Sequence, residues 1–551
     1  MNKLAVFYFT CCLVLAACNN NNTGDKDGSG EGNSNTPDSK NNISARDYSI
    51  TPANSYSDLF FDSTGMENFI THNKVPDSLG DRLRSFYNTR NYQYAWFTSK
   101  GFTEQALAFW NLLDHHITYA EDTTLGNKPL KKKMNYLLSE DSFTVQKSDK
   151  SFLEAEWNLT LSLFKYVSKN FEKGYVKRKE LERFVPFKKQ DPFEWADSLL
   201  NKKHKDNKYF DEVNASYKAL KEQLRIYAGI HQKGDWPQIP AIKKPLKKGM
   251  STSEIPVLKK YLVITGDMPG NDTSQVFNDT LAQAVMSIQQ RFGFTPSGIV
   301  TKELVKEMNV PLKHRMEQLL INIDRMRWMP SQPNGTLIVV NIPAFKLDVL
   351  ENGSRVFGMD VVVGKEGHNT MQFTGTLNQV VFSPYWNVPP NIVVKEILPE
   401  LAKNPNYLSE NEMENLGDKD GDGIPEIRQL PGAKNALGKV KFLFPNRFDI
   451  YFHDTPAKTL FSKDKRAFSH GCIRLSEPKK MAEYLLRDDP DWDTAKIDEA
   501  MNAGKEKFVK LKNTAGVFVT YYTAWADDNG KLNFREDVYG HDEEIISRLF
   551  R

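Results

Sequence analysis

A single thiol in the segment AFSHGCIRLS, residues 467–476, is the first candidate for chemistry. The chain has four cysteines, and all of them except Cys472 lie within the first 18 residues. A cysteine attacks a carbonyl as the thiolate, and it needs a nearby base or positive charge to reach that form. His470 and His453 are the candidate bases upstream of it. These residue types predict acyl transfer at Cys472.

The residues around this thiol suit the same chemistry. His453 lies near the end of a strand-like run, FDIYFHDT, where an imidazole can be held in place, so we favour it over His470 as the base. In the segment from Ser469 to Cys472, Gly471 permits backbone geometry that other residues resist, and successive N–H groups could form an oxyanion hole. Arg474 is close enough to bind a substrate carboxylate through two hydrogen bonds.

Two other interpretations of Cys472 stay open. A cysteine beside two histidines could bind zinc, but catalytic zinc needs three protein ligands and the spacing here matches no familiar site. A buried, unreactive cysteine is also common in proteins. The sequence favours the reactive thiol, because an exported chain with a single cysteine left over is typical of a thiol with a function.

The N-terminus predicts export and lipid attachment. Residues 4–17, LAVFYFTCCLVLAA, form an apolar run that is too short to span a bilayer and suits a signal peptide over 1–17. The run ends in LAAC, which resembles the bacterial lipobox and implies cleavage before a lipidated Cys18; an ordinary cleaved signal peptide is the alternative. Residues 18–50 then form the lipidated cysteine and a disordered tether, because 19–44 contain only one aliphatic residue.

The rest of the chain predicts a multidomain α+β protein. Residues 51–235 read as a helical scaffold domain; its clearest amphipathic face is formed by Leu153, Trp157, Leu161, Phe164 and Val167. Residues 240–312 read as a small module of three helices. The sequence therefore places two helical domains before the segment that contains the thiol.

Residues 335–525 are rich in β-branched residues and form the predicted β-rich domain around Cys472. An Asn352-Gly353 pair between two such runs is a strong hairpin signal. An insertion of helical and loop character, about 390–438, interrupts the strands, and an insertion of this size beside a site is often a lid. Residues 526–551 are expected to form a C-terminal extension.

The charge pattern argues against nucleic acid and leaves one candidate metal loop. The net charge is +3, and no concentrated basic face is apparent, so nucleic-acid binding is not expected. No cofactor is expected, apart from a weak calcium candidate. That candidate is DKDGDGIPE, residues 418–426, in which Asp418, Asp420, Asp422 and Glu426 resemble the start of a calcium loop. A plain acidic surface loop is the alternative.

The segment HDTPAKTLFSKDKRAFSHGCIRL, residues 453–475, resembles the catalytic motif of the L,D-transpeptidase (YkuD-type) family. That motif is a histidine, a spacer, and then Ser or Thr followed by His-Gly-Cys, an apolar residue, and Asn or Arg. The segments VLKKYLVITGD and AVMSIQQRFGFTPSGIVTKELVKEMNV resemble the type 1 peptidoglycan-binding domain. Together with the helical N-terminal region, these features resemble the long periplasmic members of the family.

The resemblance implies a cysteine acyltransferase that acts on peptidoglycan stem peptides and forms 3–3 cross-links. Cys472 would attack the third residue of a tetrapeptide stem, and His453 would protonate the departing D-alanine. A diaminopimelate amine would then take the acyl group. The same active site could instead trim stems as an L,D-carboxypeptidase or endopeptidase. A non-catalytic cell-wall anchor is the alternative from a different class.

The resemblance also assigns roles to the neighbouring residues. A backbone carbonyl just after His453 would orient the imidazole, and the N–H groups of His470, Gly471 and Cys472 would stabilise the oxyanion. Tyr451 and Arg474 would line the substrate channel, and Trp386 is either a further channel residue or a core aromatic residue. The implied location is the cell envelope, as a periplasm-facing lipoprotein of a Gram-negative-type bacterium, with other wall-synthesis proteins as candidate partners.

Overall fold

The computed structural model describes residues 43–119, 123–140, 142–170, 185–201, 215–270, 272–329 and 335–550. The predicted signal peptide, Cys18 and most of the tether lie outside these residues. Within them, a helical N-terminal region is followed by a small helical module and a β-rich domain. The predicted multidomain α+β class is confirmed. None of the helices in the described ranges is long and apolar enough to cross a membrane.

Helices and one short strand pair make up the N-terminal region. Its helices are α1 (Ser63–His72), α2 (Asp77–Asn88), α3 (Glu104–Tyr119), α4 (Lys128–Ser139), α5 (Lys150–Asn170), α6 (Pro192–Leu200) and α7 (Ala215–Gln232), with a short 3₁₀ turn at Thr123–Leu125. Strand β1 (Phe97–Thr98) pairs with β2 (Gly101–Phe102). Four of the five predicted face residues of α5, all except the half-buried Leu153, are buried in an aromatic-rich core.

The small module contains α8 (Ile255–Ile264), α9 (Asp279–Arg291) and α10 (Lys302–Met308). Side chains cap two of these helices: Asn278 accepts from the Leu281 amide, and Thr301 accepts from the Leu304 amide. Both caps satisfy amides that have no partner within the helix. The long helix α11 (Leu312–Arg327) follows and is buried along most of its length.

The β-rich domain is built on one sheet of nine strands. Its strands are β3 (Thr336–Asn341), β4 (Lys346–Glu351), β5 (Ser354–Gly364), β6 (Phe373–Phe382), β10 (Val440–Leu443), β11 (Phe452–His453), β12 (Ala467–Ser469), β13 (Ile473–Leu475) and β14 (Lys507–Thr520). They run in the order β12-β5-β13-β11-β10-β6-β14-β3-β4, and β4 also pairs with β5, which closes the sheet on itself. Helices α15 (Pro478–Leu485) and α16 (Thr494–Asn502) pack on its core.

The hairpin predicted at Asn352-Gly353 is confirmed. The two residues join β4 to β5, and their φ angles are +50° and +82°. Two positive φ angles in a two-residue loop are the pattern of a type I′ turn, which matches the twist of the strands on either side.

The predicted insertion lies between β6 and β10. It contains three short strands in addition to the predicted helices and loops. It contains β7 (Trp386–Asn387), β8 (Met413–Asn415) and β9 (Ile427–Gln429) in the sheet order β7-β9-β8, the helices α12 (Pro390–Ile392), α13 (Leu398–Lys403) and α14 (Tyr407–Glu410), and a π-helix at Val393–Ile397. It buries an apolar cluster of its own, centred on Val393 and Ile427. The strands are too short to show the alternation that predicts strands from sequence.

The C-terminal residues pack against the helical parts of the chain. Strands β15 (Ala524–Ala526) and β16 (Leu532–Phe534) form a hairpin, and α17 (His541–Leu549) follows. The hairpin packs in the core of the small module, and α17 packs against Tyr56 and α11. Arg325 of α11 contacts Glu104 of α3 and Asp542 of α17, each at 2.6 Å, so one buried guanidinium joins three segments of the chain.

Candidate active site

The pairing of two short strands brings the predicted catalytic residues together. Strands β11 and β13 are parallel, with Phe452 opposite Ile473 and His453 opposite Arg474. Phe452 and Ile473 are both fully buried and point into the sheet core. Because side chains alternate between the two faces of a strand, the residues beside them share the opposite face. Tyr451, His453, Cys472 and Arg474 are these residues.

The His453 ring is oriented by the residue that follows it. Its Nδ1 lies 2.5 Å from the backbone carbonyl oxygen of Asp454. A carbonyl oxygen can only accept, so Nδ1 carries the proton and Nε2 of the neutral ring keeps its lone pair. Burial, together with the positive charge of Arg474, lowers the pKa of His453 to about 3. The ring is therefore neutral at pH 7, and its Nε2 has no hydrogen-bond partner among the described residues.

The Cys472 thiol is also neutral at pH 7. Loss of solvent around the sulfur raises the pKa of Cys472 to about 11, although the Tyr451 amide and hydroxyl and the Arg474 charge act in the opposite direction. The thiol donates to the backbone carbonyl oxygen of Asp449 at 3.7 Å. Asp449 has a left-handed φ of +51°, which turns the chain just before β11. The site therefore holds a protonated thiol and a neutral imidazole on the same face of two paired strands.

Hydrogen bonds fix the turn before the thiol. Ser469 Oγ donates to the Cys472 carbonyl oxygen at 2.6 Å and accepts from the Gly471 amide at 3.2 Å. Gly471 has a φ of +114°, which residues with a side chain rarely adopt. Thr370 Oγ1 donates to the Gly471 carbonyl oxygen at 2.7 Å. In this structure the Gly471 N–H donates to Ser469, and its expected role in an oxyanion hole stays a prediction.

His470 contacts the insertion rather than the thiol. Its Nε2 lies 2.8 Å from Oε1 of Glu396, which belongs to the π-helix of the insertion. The His368 ring stands edge-on to the His470 ring, with centroids 4.8 Å apart. A π-helix is rare and is frequently found at functional sites. The side chain of His470 therefore connects the insertion with the turn that carries Cys472.

Of the remaining predicted residues, Arg474 and Tyr451 line the site, whereas Trp386 lies in the insertion. Arg474 shares the face of the thiol, and its buried Nε has no hydrogen-bond partner among the described residues. Burial lowers its pKa, while the nearby Cys472 acts to raise it. The Tyr451 ring lies 5.8 Å from the His453 ring, so Tyr451 also lines the site. Trp386 pairs with Gln429 in the insertion and packs against its apolar cluster.

Three residues that contact the site were not predicted from the sequence. Thr370 holds the Gly471 carbonyl group, Glu396 contacts His470, and the Asp449 carbonyl oxygen accepts from the thiol. Thr370 and Glu396 are distant from Cys472 in the sequence and carry no local signal. Asp449 lies in the strand-like run that includes His453, but its role depends on its backbone carbonyl, which the residue type does not reveal.

The acidic loop brings three carboxylates together. The ligand oxygens of Asp418, Asp420 and Asp422 lie within 4.8 Å of one another, and all three residues are exposed. Oxygen ligands of this kind suit calcium. The fourth candidate, Glu426, pairs with Lys419 at 3.3 Å instead of joining them. Calcium binding stays a prediction that concerns the three aspartates.

Family comparisons match three parts of the chain. A family model described as the L,D-transpeptidase catalytic domain (YkuD) matches residues 335–495. A model described as a scaffold domain matches residues 81–224. A model described as "Putative peptidoglycan binding domain" matches residues 251–308. The first of these includes both Cys472 and His453.

Comparisons with individual proteins give the same family name. A curated Haemophilus influenzae protein named "Putative L,D-transpeptidase" is 32% identical over 254 residues, which cover 44% of this chain and 50% of that protein. The chain thus spans about half the length of this relative.

Two solved structures with this name are also similar. The L,D-transpeptidase of Stackebrandtia nassauensis is 15% identical, with 52% of this chain and 97% of that chain covered and a TM-score of 0.22. L,D-transpeptidase 3 of Mycobacterium tuberculosis is 16% identical, with 34% and 61% covered and a TM-score of 0.17. By the family models, the chain contains an L,D-transpeptidase catalytic domain of the YkuD type together with a peptidoglycan-binding domain.

Proposed function

We propose that this protein forms 3–3 cross-links in peptidoglycan through an acyl-enzyme on Cys472. The observation that carries the proposal is the shared face of β11 and β13, which holds both a protonated thiol and a neutral imidazole. A neutral pair suits general-base catalysis, in which the proton moves as the sulfur attacks.

The first half-reaction transfers the stem peptide to the enzyme. His453 Nε2 takes the thiol proton of Cys472 while the sulfur bonds to the carbonyl carbon of the third stem residue. The carbon–nitrogen bond to the terminal D-alanine then breaks, and the imidazolium gives its proton to the departing amine. The products are free D-alanine and a thioester on Cys472. The Asp454 carbonyl keeps the ring in the tautomer that this exchange needs.

The second half-reaction regenerates the free thiol of Cys472. A side-chain amine of a second stem attacks the thioester carbonyl, His453 takes one amine proton, and the carbon–sulfur bond breaks as the thiol is reprotonated. Water in place of the amine would give a trimmed stem.

Since the Gly471 amide is used by Ser469, the proposed oxyanion donors are the amides of His470 and Cys472. The unpaired Arg474 Nε supports a role in binding a substrate carboxylate.

The same proposal places the protein in the cell envelope. The apolar run before Cys18 supports a lipoprotein that faces the periplasm of a Gram-negative-type bacterium, and the tether would let the enzyme reach the wall. The module that matches the peptidoglycan-binding family supports peptidoglycan as the substrate. Other wall-synthesis proteins remain proposed partners.

The test is intact-mass spectrometry after incubation with a carbapenem, which acylates activated thiols of this kind. We expect a single adduct on the chain that lacks residues 1–18 and none on its Cys472→Ala variant. Stem tetrapeptides are then supplied, and dimers and trimmed stems are quantified. Dimers support transpeptidation, and trimmed stems alone support the carboxypeptidase alternative. No adduct on either protein contradicts the proposal and favours the wall anchor.

A further inference from the structure

Asn111 of α3 forms hydrogen bonds with two segments of the β-rich domain. Its Nδ2 donates to the backbone carbonyl oxygen of Gln372 at 2.9 Å, and its Oδ1 accepts from Nη2 of Arg447 at 3.2 Å. A carbonyl needs a donor and a guanidinium needs an acceptor, so the two partners fix the orientation of the amide. One side chain of the helical region therefore holds two segments that are distant in sequence.

The first segment leads to the turn before the thiol. Gln372 lies two residues after Thr370, whose hydroxyl accepts from the Gly364 amide at 2.9 Å and donates to the Gly471 carbonyl oxygen at 2.7 Å. Thr370 is almost completely buried, at 1% exposure. A shift of the backbone at Gln372 is therefore transmitted through Thr370 to the residue next to Cys472.

The second segment leads to the thiol itself. Arg447 is held by Asn111 and, through Nη1, by Asn135 of α4 at 3.0 Å. Two residues later, the Asp449 carbonyl oxygen accepts from Cys472 Sγ. Asn446 fixes the bend between them, because its Oδ1 accepts from the Phe448 and Ile450 amides. The helical region therefore anchors the loop whose carbonyl sets the direction of the thiol.

We propose that Asn111 is a positioning residue, through which the helical region fixes Cys472 from both sides. One side is the Gly471 carbonyl, held through Thr370, and the other is the Asp449 carbonyl, held through Arg447. The inference uses the proposed function only in that Cys472 is taken as the nucleophile. Asn111 itself does not touch the reacting atoms.

The test compares full-length variants in detergent. Asn111→Ala removes both contacts, and Asn135→Ala removes only one contact to Arg447. Asn158→Ala is the matched control, because Asn158 also uses both ends of its amide, but within the helical region only, with Asn127 and Glu154. Two rates are measured for each: the maximal rate of carbapenem acylation and the rate of Cys472 alkylation by iodoacetamide. Melting temperatures are recorded in parallel.

We expect Asn111→Ala to lower the maximal acylation rate on the order of 10-fold, because misplacement by 1 Å can cost more than this. The half-saturating concentration should stay within about twofold, since no substrate contact is lost. Asn135→Ala should give a smaller loss, and Asn158→Ala none. Two results would overturn the inference. One is an equal loss of the acylation rate in Asn158→Ala, and the other is a wild-type acylation rate in Asn111→Ala.

The alkylation rate separates this inference from the proposed function. Alkylation needs only the thiol and no acyl transfer. It should rise in Asn111→Ala even if the wild-type protein accepts no stem peptide or carbapenem, because the Asp449 carbonyl that accepts from the protonated thiol is displaced. Wild-type acylation without any difference in alkylation among the three variants would support the proposed function and contradict the role of Asn111.

Discussion

The imidazole of His453 donates from Nδ1 to the backbone carbonyl oxygen of the next residue, Asp454, across 2.5 Å. Backbone geometry, rather than an acidic side chain, thus sets the tautomer of the proposed base. A carbonyl group does not titrate, so the orientation of the ring does not depend on the ionisation of a partner.

The first prediction concerns the pH dependence of acylation. Burial lowers the pKa of His453 to about 3, so the neutral ring persists well below the ordinary value of 6.5. We expect the rate of carbapenem acylation to stay nearly constant as the pH falls from 7 to 5. The rate is measured across this pH range by intact-mass spectrometry of reactions quenched at known times. An acid limb centred near pH 6.5 would show that the base is not the buried, neutral His453.

The same shift affects stability with a definite sign. The unfolded chain takes up a proton on this histidine near pH 6.5, whereas the folded chain does not until about pH 3. The contribution of His453 to the free energy of unfolding is therefore complete above pH 6.5 and is lost as the pH falls toward 3.

The second prediction concerns Gly438. It has a φ of +60°, and an added Cβ would overlap the Asp454 carboxylate. That carboxylate accepts from the Lys439 amide at 2.9 Å, so Asp454 cannot easily move away. We expect Gly438→Ala to displace the Asp454 carbonyl and to slow acylation on the order of 100-fold.

Gly504→Ala is the matched control for this variant. Gly504 has a similar φ of +64°, but no atom of the described residues, apart from its own chain neighbours, lies within 4 Å of its Cβ position. Both variants incur backbone strain, and only Gly438→Ala should lose acylation. Equal rates in the two variants would contradict the proposed role of the Asp454 carbonyl.

The third prediction concerns Arg474. Its buried Nε has no partner among the described residues, and a bound carboxylate would supply one. Charged hydrogen bonds contribute about 1.5–3 kcal/mol, so Arg474→Ala should raise the KM for a stem tetrapeptide by about 10-fold or more. A tetrapeptide with an amidated C-terminus provides the control. If the KM for the amide rises equally in the variant, the terminal carboxylate is not the partner of Arg474.

The fourth prediction concerns the insertion. Glu396 contacts His470, next to the thiol turn, and a cover over the acyl-enzyme would exclude water. We expect Glu396→Ala to raise the ratio of trimmed stems to dimers, and deletion of residues 390–438 to raise it further. Glu400→Ala is the control, because Glu400 pairs with Lys403 within the insertion. An unchanged ratio in the deletion would show that the insertion is not a lid.

The fifth prediction concerns the acidic loop. Asp418, Asp420 and Asp422 bring their oxygens within 4.8 Å of one another, and binding of calcium there should release or take up heat. Calorimetric titration with millimolar calcium tests this, with Asp420→Ala as the control. The absence of heat in the wild-type protein would leave a plain acidic surface loop.

Local sequence patterns predicted the local features well. The Asn352-Gly353 turn and the buried face of α5 both depend on residues within a few positions of one another. These are cases in which the type and spacing of residues carry the physical cause.

The features that were missed depend on contacts between distant segments. Thr370 and Gly471 are 101 residues apart, and Glu396 and His470 are 74 residues apart. The order of the nine strands follows from such contacts too. The sequence also does not reveal that Ser469 accepts from the Gly471 amide.

The contact between α17 and the first part of the chain has a consequence for synthesis. Tyr56 and Ile321 are covered by Ile545, Ile546 and Leu549, which the ribosome adds almost 500 residues after Tyr56. Until then, this apolar surface stays open to water and to other nascent chains. We therefore expect the helical region to reach its final stability only after the whole polypeptide has been released.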